Sequence, residues 1–416
     1  MKKKKRMEVI FNTMLGAAFV AFVIYHLLHN QIDVFRVEAT ELPDLSQTRN
    51  YKEADALMKG YVFEMEDHYN TNLFQRMEKV REYGRLSAKT GKRVLDDAQA
   101  ERSVVRGDKG MLYYAITNSV DTRPYLLSFR RLHDFLDRKG IYFAYVQAPY
   151  KHMKNSTTFP KGVVDYGNEI ATEFAQGLKR EGIPVLDLNE SFVAEGGREE
   201  ELFFKTDTHW KIPTAFRGYQ KTVAFLQKEG VVLEEAKRTT DRANYKLKRW
   251  EKVYIGSHGK RAGEGYYEGK DDLEVLLPKF ETNLQYRKYN REGKLIKERK
   301  GSFEDSFMFY GYLNSEDKYQ DKYVVYMDWG ASEDHIFNHR AKKGKKLLLI
   351  KDSFAMPLAG FLSLNFEETV LLDIRDENRP QSIEAYVEEH GFDTVLFVAS
   401  PTSMSYHPEM FLMPKH

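Results

Sequence analysis

A chain of 416 residues without cysteine has no disulfide staples, no thiolate metal sites and no cysteine nucleophile, so its stability rests on a buried core. The formal net charge is +2, and Lys2–Arg6 supply five cations, which leaves −3 on everything else. A slightly acidic body of that kind has no electrostatic footprint for nucleic acid, and the length allows one large domain with insertions or two smaller ones.

The basic cluster leads into an apolar run from Ile10 to Leu28, interrupted only by Asn12, Thr13 and His26. About 20 apolar residues cross a bilayer core as a helix, and the positive flank stays in the cytoplasm. Residues 1–30 are therefore predicted to be a cytoplasmic basic tail and a single-pass anchor. The chain after His29 would then lie outside the cytoplasm, in a periplasm or at the cell surface. A cleaved signal peptide is the competing reading, but the run is long for a signal core and lacks a clear small-x-small site. Residues 31–100 are polar and charge-dense. Leu57, Tyr61, Met65 and Tyr69 recur every fourth residue, predicting a helical stalk or lead-in over Lys52–Arg85.

The pattern changes near residue 101. Gly107-Asp108-Lys109-Gly110 is a tight-turn signal before a short strand at Met111–Tyr114. A helix over Pro124–Arg138 and a strand over Ile141–Val146 follow, then a helix over Asn168–Arg180, a strand over Ile183–Leu186 and a helix opened by Pro213, where proline costs little. Towards the C-terminus the alternation is clearest: strand Leu347–Ile350, helix Ala355–Leu364, strand Thr369–Leu372, helix Ser382–Glu389, strand Thr394–Val398. Runs apolar on both faces and separated by helices predict a three-layer αβα domain over 101–416 with a mostly parallel sheet. The stretch 239–325, rich in tyrosine, glycine and charge, is expected to be a β-rich insertion.

Two segments carry acid, base and nucleophile chemistry: Asp207-Thr208-His209-Trp210 and Lys351-Asp352-Ser353-Phe354. A serine hydroxyl is a poor nucleophile until an imidazole takes its proton and a carboxylate holds that imidazole in the right tautomer. Ser353 follows an apolar strand and precedes a helix, so it stands at the sheet edge where α/β ligands collect, near first-turn N–H groups able to bind an oxyanion. Equally, Asp352 or Ser353 simply caps that helix. Asp207 and His209, two apart, share a face of an extended segment, with Trp210 placed to screen the imidazole from water; a loop aspartate beside an exposed histidine is the plainer alternative. His335 and His339 would share a helix face, but Ile336 stands where a His-Glu-x-x-His site needs glutamate, so no metal is assigned. Tyr254, Tyr266, Tyr267, Tyr286 and Tyr289 would suit either sugar stacking or strand packing.

The stretch Phe203-Phe204-Lys205-Thr206-Asp207-Thr208-His209-Trp210 and the later Lys351-Asp352-Ser353-Phe354-Ala355 resemble the SGNH-hydrolase-like polysaccharide O-acetyltransferases, the group of AlgJ, AlgX, DHHW and PatB-type proteins. Gly107–Tyr114, Ala148-Pro149, Gly256-Ser257 and Asp373-Ile374-Arg375 agree with it. The resemblance covers roughly residues 100–400 and implies Ser353 as nucleophile, His209 as general base and Asp207 as its orienting partner. Thr208 stands where the DHHW name implies its first histidine, while the Asp and the following His are kept. Trp329-Gly330-Ala331-Ser332 stands where relatives resemble Gly-Gly-Asn, leaving the Gly330 N–H as the oxyanion donor and Arg375 as a substrate-side cation or an ion-pair partner of Asp373.

The function so implied is transfer of an acetyl group through a Ser353 acetyl-enzyme onto hydroxyls of a cell-envelope or exported polysaccharide. No cofactor is bound. The acetyl donor derives ultimately from acetyl-CoA through a membrane-bound O-acyltransferase partner. The alternatives are a polysaccharide acetyl esterase using the same residues and a non-catalytic carbohydrate-binding subunit of an envelope acetylation complex.

Overall fold

The runs Phe143–Val146, Leu347–Ile350, Val370–Leu372 and Val395–Val398 are buried at every residue, which requires apolar cover on both sides and so places them inside a parallel sheet. The computed structural model describes residues 58, 76–95, 103–155, 159–328, 332–341, 345–375 and 382–413. The anchor predicted over residues 1–30, most of the predicted stalk, and Gly330 lie outside them. Among the described residues no helix is long and apolar enough to cross a membrane. The sheet lies within the compact unit Gly84–His416. The helix Arg76–Lys89 lies within the stretch 31–100 assigned to the stalk and runs past Arg85, the predicted end of the helix-like spacing.

Three short strands, β1 (Val94–Leu95), β2 (Val104–Arg106) and β3 (Leu112–Tyr114), form a small antiparallel sheet. The β2–β3 turn closes as expected, with Gly107 N–H donating to the Met111 carbonyl at 2.8 Å. The main sheet uses β4 (Tyr142–Gln147), β5 (Val185–Asp187), β8 (Leu284–Tyr289), β9 (Leu295–Gly301), β10 (Glu333–Asn338), β11 (Lys346–Lys351), β12 (Glu368–Leu372) and β13 (Thr394–Ala399). β6 (Tyr245–Tyr254) and β7 (Asp271–Pro278) pair separately as an antiparallel ribbon. The strand order is β5-β4-β13-β11-β12-β10-β8-β9. The first five strands are parallel, and β10, β8 and β9 add antiparallel.

The sheet is thus mixed, and the stretch 239–325 does more than decorate it. Its strands β8 and β9 extend the sheet beyond β10, covering the edge that β10 would otherwise leave with unpaired backbone groups. β10 escaped the sequence reading because its opening Glu-Asp-His hides the apolar alternation.

Side chains on successive strand positions alternate between faces. Phe143, Tyr145, Leu348, Ile350, Val395 and Phe397 pack against α1 (Arg123–Arg138) and α2 (Gly167–Arg180) through Phe129, Leu132, Phe174 and Leu178. Ala144, Val146, Leu347, Leu349, Leu396 and Val398 pack in the cluster that holds α3 (Ile212–Lys228) and α4 (Ala355–Leu362) through Phe216, Tyr219 and Phe361. Three layers result, with the carboxyl ends of β4, β11 and β13 on one edge.

Candidate active site

The loop after β11 sits on that edge, and Asp352 fixes its shape. One carboxylate oxygen accepts from Phe354 N–H at 2.9 Å; the other accepts from Ser400 N–H and the Ser403 hydroxyl, each at 2.7 Å. Asp352 is 1 % exposed, so this bonding ties the loop to the end of β13 with no competition from water. The two sequence readings therefore divide between neighbours. Asp352 satisfies the turn backbone, which leaves the Ser353 hydroxyl for another partner.

That partner is His209, whose Nε2 lies 2.7 Å from Ser353 Oγ, while its Nδ1 lies 2.5 Å from Asp207 Oδ1. Residues 144 apart in sequence meet because Phe203 and Trp210 form an isolated antiparallel bridge that throws the intervening residues up as a tight loop. Asp207 and His209 do not lie on an extended face. The segment bends, and Asp207 Oδ1 also accepts His209 N–H at 2.9 Å, a local turn that brings carboxylate and imidazole together more directly than strand geometry does. The second oxygen, Oδ2, accepts Ser257 N–H at 2.7 Å, at the start of the short helix Ser257–Ala262.

Burial would raise the Asp207 carboxyl and lower the His209 imidazole, but in each case the partner's opposite charge outweighs it. Asp207 is held well below the usual carboxylate range, and His209 is lifted above the ordinary histidine value, with Asp321 and Asp352 adding to the lift. With Nδ1–H committed to Asp207, Nε2 is free to accept a proton from Ser353.

Trp210 does not wall the imidazole. It is fully buried and its Nε1–H donates to the Phe354 carbonyl at 3.1 Å, linking the histidine loop to the serine loop from below. The face of His209 is covered by Tyr323, stacked at 4.2 Å with an interplanar angle of 15°, and by Phe354 at 5.0 Å. No periodicity marks Tyr323; only the fold shows its place. Arg375 is engaged with Asp373, Nε donating to Oδ1 at 2.7 Å and the guanidinium also reaching Oδ2. Lys351 donates to the same Oδ2 at 2.8 Å. His335 lies on β10, not on a helix, between Glu333 and Glu368 at 2.6 and 3.1 Å. Burial pulls its imidazole down, but those carboxylates push it up to about 9. Among the described residues no group of three histidine or acidic side chains is placed to hold a metal. Tyr254, Tyr266, Tyr267 and Tyr286 are buried and pack in the core, so they offer no sugar-stacking platform.

Residues 104–251 match the family described as SGNH hydrolase-like domain, acetyltransferase AlgX. The fold is similar to that of Bacillus cereus PatB1 with a sulfonyl adduct, at 19% identity and a TM-score of 0.60, covering 75% of this chain and 98% of that one. It is also similar to a DHHW family protein from Eubacterium siraeum, at 16% identity and a TM-score of 0.56, covering 77% of this chain and 97% of that one. The fold is thus SGNH hydrolase-like. No curated protein matches its sequence. Ser353 lies beyond the matched segment, so its place rests on the geometry above.

Gly256 shows how tightly the site is packed. A Cβ there would stand 2.2 Å from Asp207 Cβ and 2.4 Å from Asp207 Oδ2, although the backbone itself, at φ −84°, would accept any residue. Gly256→Ala is expected to lower stability by about 1–3 kcal/mol and to push Asp207 off His209. Thermal denaturation and the rate of Ser353 labelling by a sulfonyl fluoride would check this; an unchanged labelling rate would show that Asp207 has room to move.

Proposed function

We propose that this protein is a membrane-anchored O-acetyltransferase acting outside the cytoplasm on hydroxyls of a cell-envelope or exported polysaccharide. The observation that carries the reading is the continuous hydrogen-bonded chain from Asp207 through His209 to Ser353, with contacts of 2.5 and 2.7 Å. The family description over residues 104–251 favours acetyl as the group transferred. In the first half-reaction Ser353 Oγ attacks the acetyl carbonyl as its proton passes to His209 Nε2; the tetrahedral oxyanion collapses, and the leaving group departs with that proton. In the second, a sugar hydroxyl gives its proton to the same Nε2 and attacks the acetyl-enzyme, and Ser353 regains a proton. The Gly330 N–H is proposed as an oxyanion donor. The acetyl group, ultimately from acetyl-CoA, would be delivered by a membrane-bound O-acyltransferase partner, and the apolar run at Ile10–Leu28 would keep the protein beside it.

The test is incubation of the full chain with a chromogenic acetyl ester, with and without an oligosaccharide acceptor. Acetylated sugar is expected. Acetate release with no sugar product would replace transfer by hydrolysis, and neither turnover nor an adduct on Ser353 would overturn the acyl-enzyme reading.

The pH dependence follows from the base. His209 works only when neutral, and its pKa is raised because Asp207, with Asp321 and Asp352, outweighs burial. Acylation should therefore be lost as pH falls through a value above the ordinary histidine pKa of about 6.5. A profile of kcat/KM against pH checks this; an acid limb centred below that value would contradict the assignment of His209 as base.

A further inference from the structure

The loop that carries Asp207 and His209 belongs to no helix or strand, yet its geometry has to be held to a fraction of an ångström for proton transfer. We propose that two buried charges, Lys151 and Asp271, act as positioning residues by clamping residues 205–207 from opposite edges; this rests on the acyl-transfer reading of the site.

Asp271, 8 % exposed, takes the N–H side. Its Oδ1 accepts Lys205 N–H at 2.7 Å, and its Oδ2 accepts Thr206 N–H at 2.8 Å and the Thr206 hydroxyl at 2.6 Å. Lys151, 3 % exposed, takes the carbonyl side, donating from Nζ to the Lys205 carbonyl at 3.0 Å and to the Asp207 carbonyl at 2.6 Å. Thr206 is pinned between them. Its carbonyl accepts Gly259 N–H and its Oγ1 accepts Gly256 N–H, both at 2.9 Å. Those glycines flank Ser257, whose own N–H holds Asp207 Oδ2.

Charged groups are seldom buried unless paired or fully hydrogen-bonded. Here both are buried, and both spend their hydrogen bonds on one three-residue segment, all but the Thr206 hydroxyl bond on its backbone. That segment ends at the carboxylate that orients His209. Burial pushes the Lys151 ammonium down to about 7 against the pull of Asp271, Asp207 and Glu199, so the fold keeps a group there that resists desolvation. A simple apolar filler would support the core equally well; it would not bind two carbonyls whose spacing sets where Asp207 begins. Lys151 follows directly from the Ala148-Pro149 turn after β4, and Asp271 opens β7, so the clamp fastens the loop to two independent elements.

A displacement of about 1 Å at a reacting pair costs on the order of 10²-fold in rate. In the full chain, Lys151→Met is therefore expected to lower the second-order rate of Ser353 sulfonylation by phenylmethanesulfonyl fluoride by about 10- to 100-fold, with the circular dichroism spectrum and a cooperative melt retained. Lys151→Gln, which keeps an N–H donor group on a shorter, uncharged side chain, should recover part of the loss. Asp271→Asn should fall in the same direction, and the double variant should lose less than the product of the singles because both act on one segment. A folded Lys151→Met that labels at the wild-type rate overturns the clamp. The low-field proton resonance of the His209 Nδ1–H bond to Asp207 reads the same geometry without chemistry. If wild type fails to label, the acyl-transfer reading falls, and the clamp is then decided by this signal: weakened in Lys151→Met, it stands; unchanged, it is wrong. Should Lys151→Met not fold, Lys151→Gln and Asp271→Asn carry the same comparison.

Discussion

Ser353→Ala is expected to lower kcat for acetyl transfer by at least about 10³-fold and to abolish covalent labelling, with the melting temperature nearly unchanged. The side chain is only partly buried and its hydroxyl hydrogen-bonds to His209, so removing the oxygen leaves no buried polar group stranded beyond an imidazole that faces the site. In serine acyl-transfer enzymes the nucleophile and its base act as a unit, and removing either costs about as much as removing both. His209→Ala should therefore be about as damaging as Ser353→Ala, and the double variant little worse than either. Steady-state kinetics with an acetyl ester and intact-mass measurement after sulfonyl fluoride treatment give the two readouts. Retention of more than a tenth of wild-type kcat by Ser353→Ala would remove the acetyl-enzyme from the mechanism.

Asp207→Asn should be almost as costly for a different reason. Asp207 accepts three hydrogen bonds: from His209 N–H, from His209 Nδ1–H and from Ser257 N–H. An asparagine amide presents an oxygen at only one end. If the oxygen faces Ser257, the amide NH₂ meets Nδ1 and forces the imidazole proton onto Nε2, where it can no longer accept from Ser353. If it faces His209, two donors oppose each other at Ser257. Loss of the correct tautomer in such a site costs on the order of 10⁴-fold in kcat. The surviving activity should also titrate differently, since the charge that lifts His209 is gone, and its acid limb should move to lower pH. A variant with the wild-type limb would show that Asp207 is not what raises His209.

Much of this architecture was legible in the chain because it is written in local pattern. The four central strands are continuous apolar runs, and the helices beside them have amphipathic spacing, so their identity and their alternation needed no tertiary information. Asp207, His209 and Ser353 stood out as candidates by residue type, but their roles came only as what the family resemblance implied, since spacing alone left the helix-cap and loop-aspartate readings open. The strand at Glu333–Asn338 was hidden, because an Asp-His pair buried by the surrounding carboxylates and tyrosines imitates a polar loop.

What the linear order did not hold was every contact between distant segments. The stacking of Tyr323 on His209 joins residues 114 positions apart, and the diversion of Trp210 to the Phe354 carbonyl depends on which way a buried side chain can point. The clamp by Lys151 and Asp271 is of the same kind, since a lysine and an aspartate are exposed by default and become structural only when packing removes water and leaves backbone carbonyls and N–H groups as their sole partners. Local pattern thus determined the layered fold, and residue type at three positions marked the candidates for the site. Which groups screen, hold and align that chemistry was decided by the tertiary structure, because desolvation and hydrogen-bond satisfaction are properties of neighbours in space rather than along the chain.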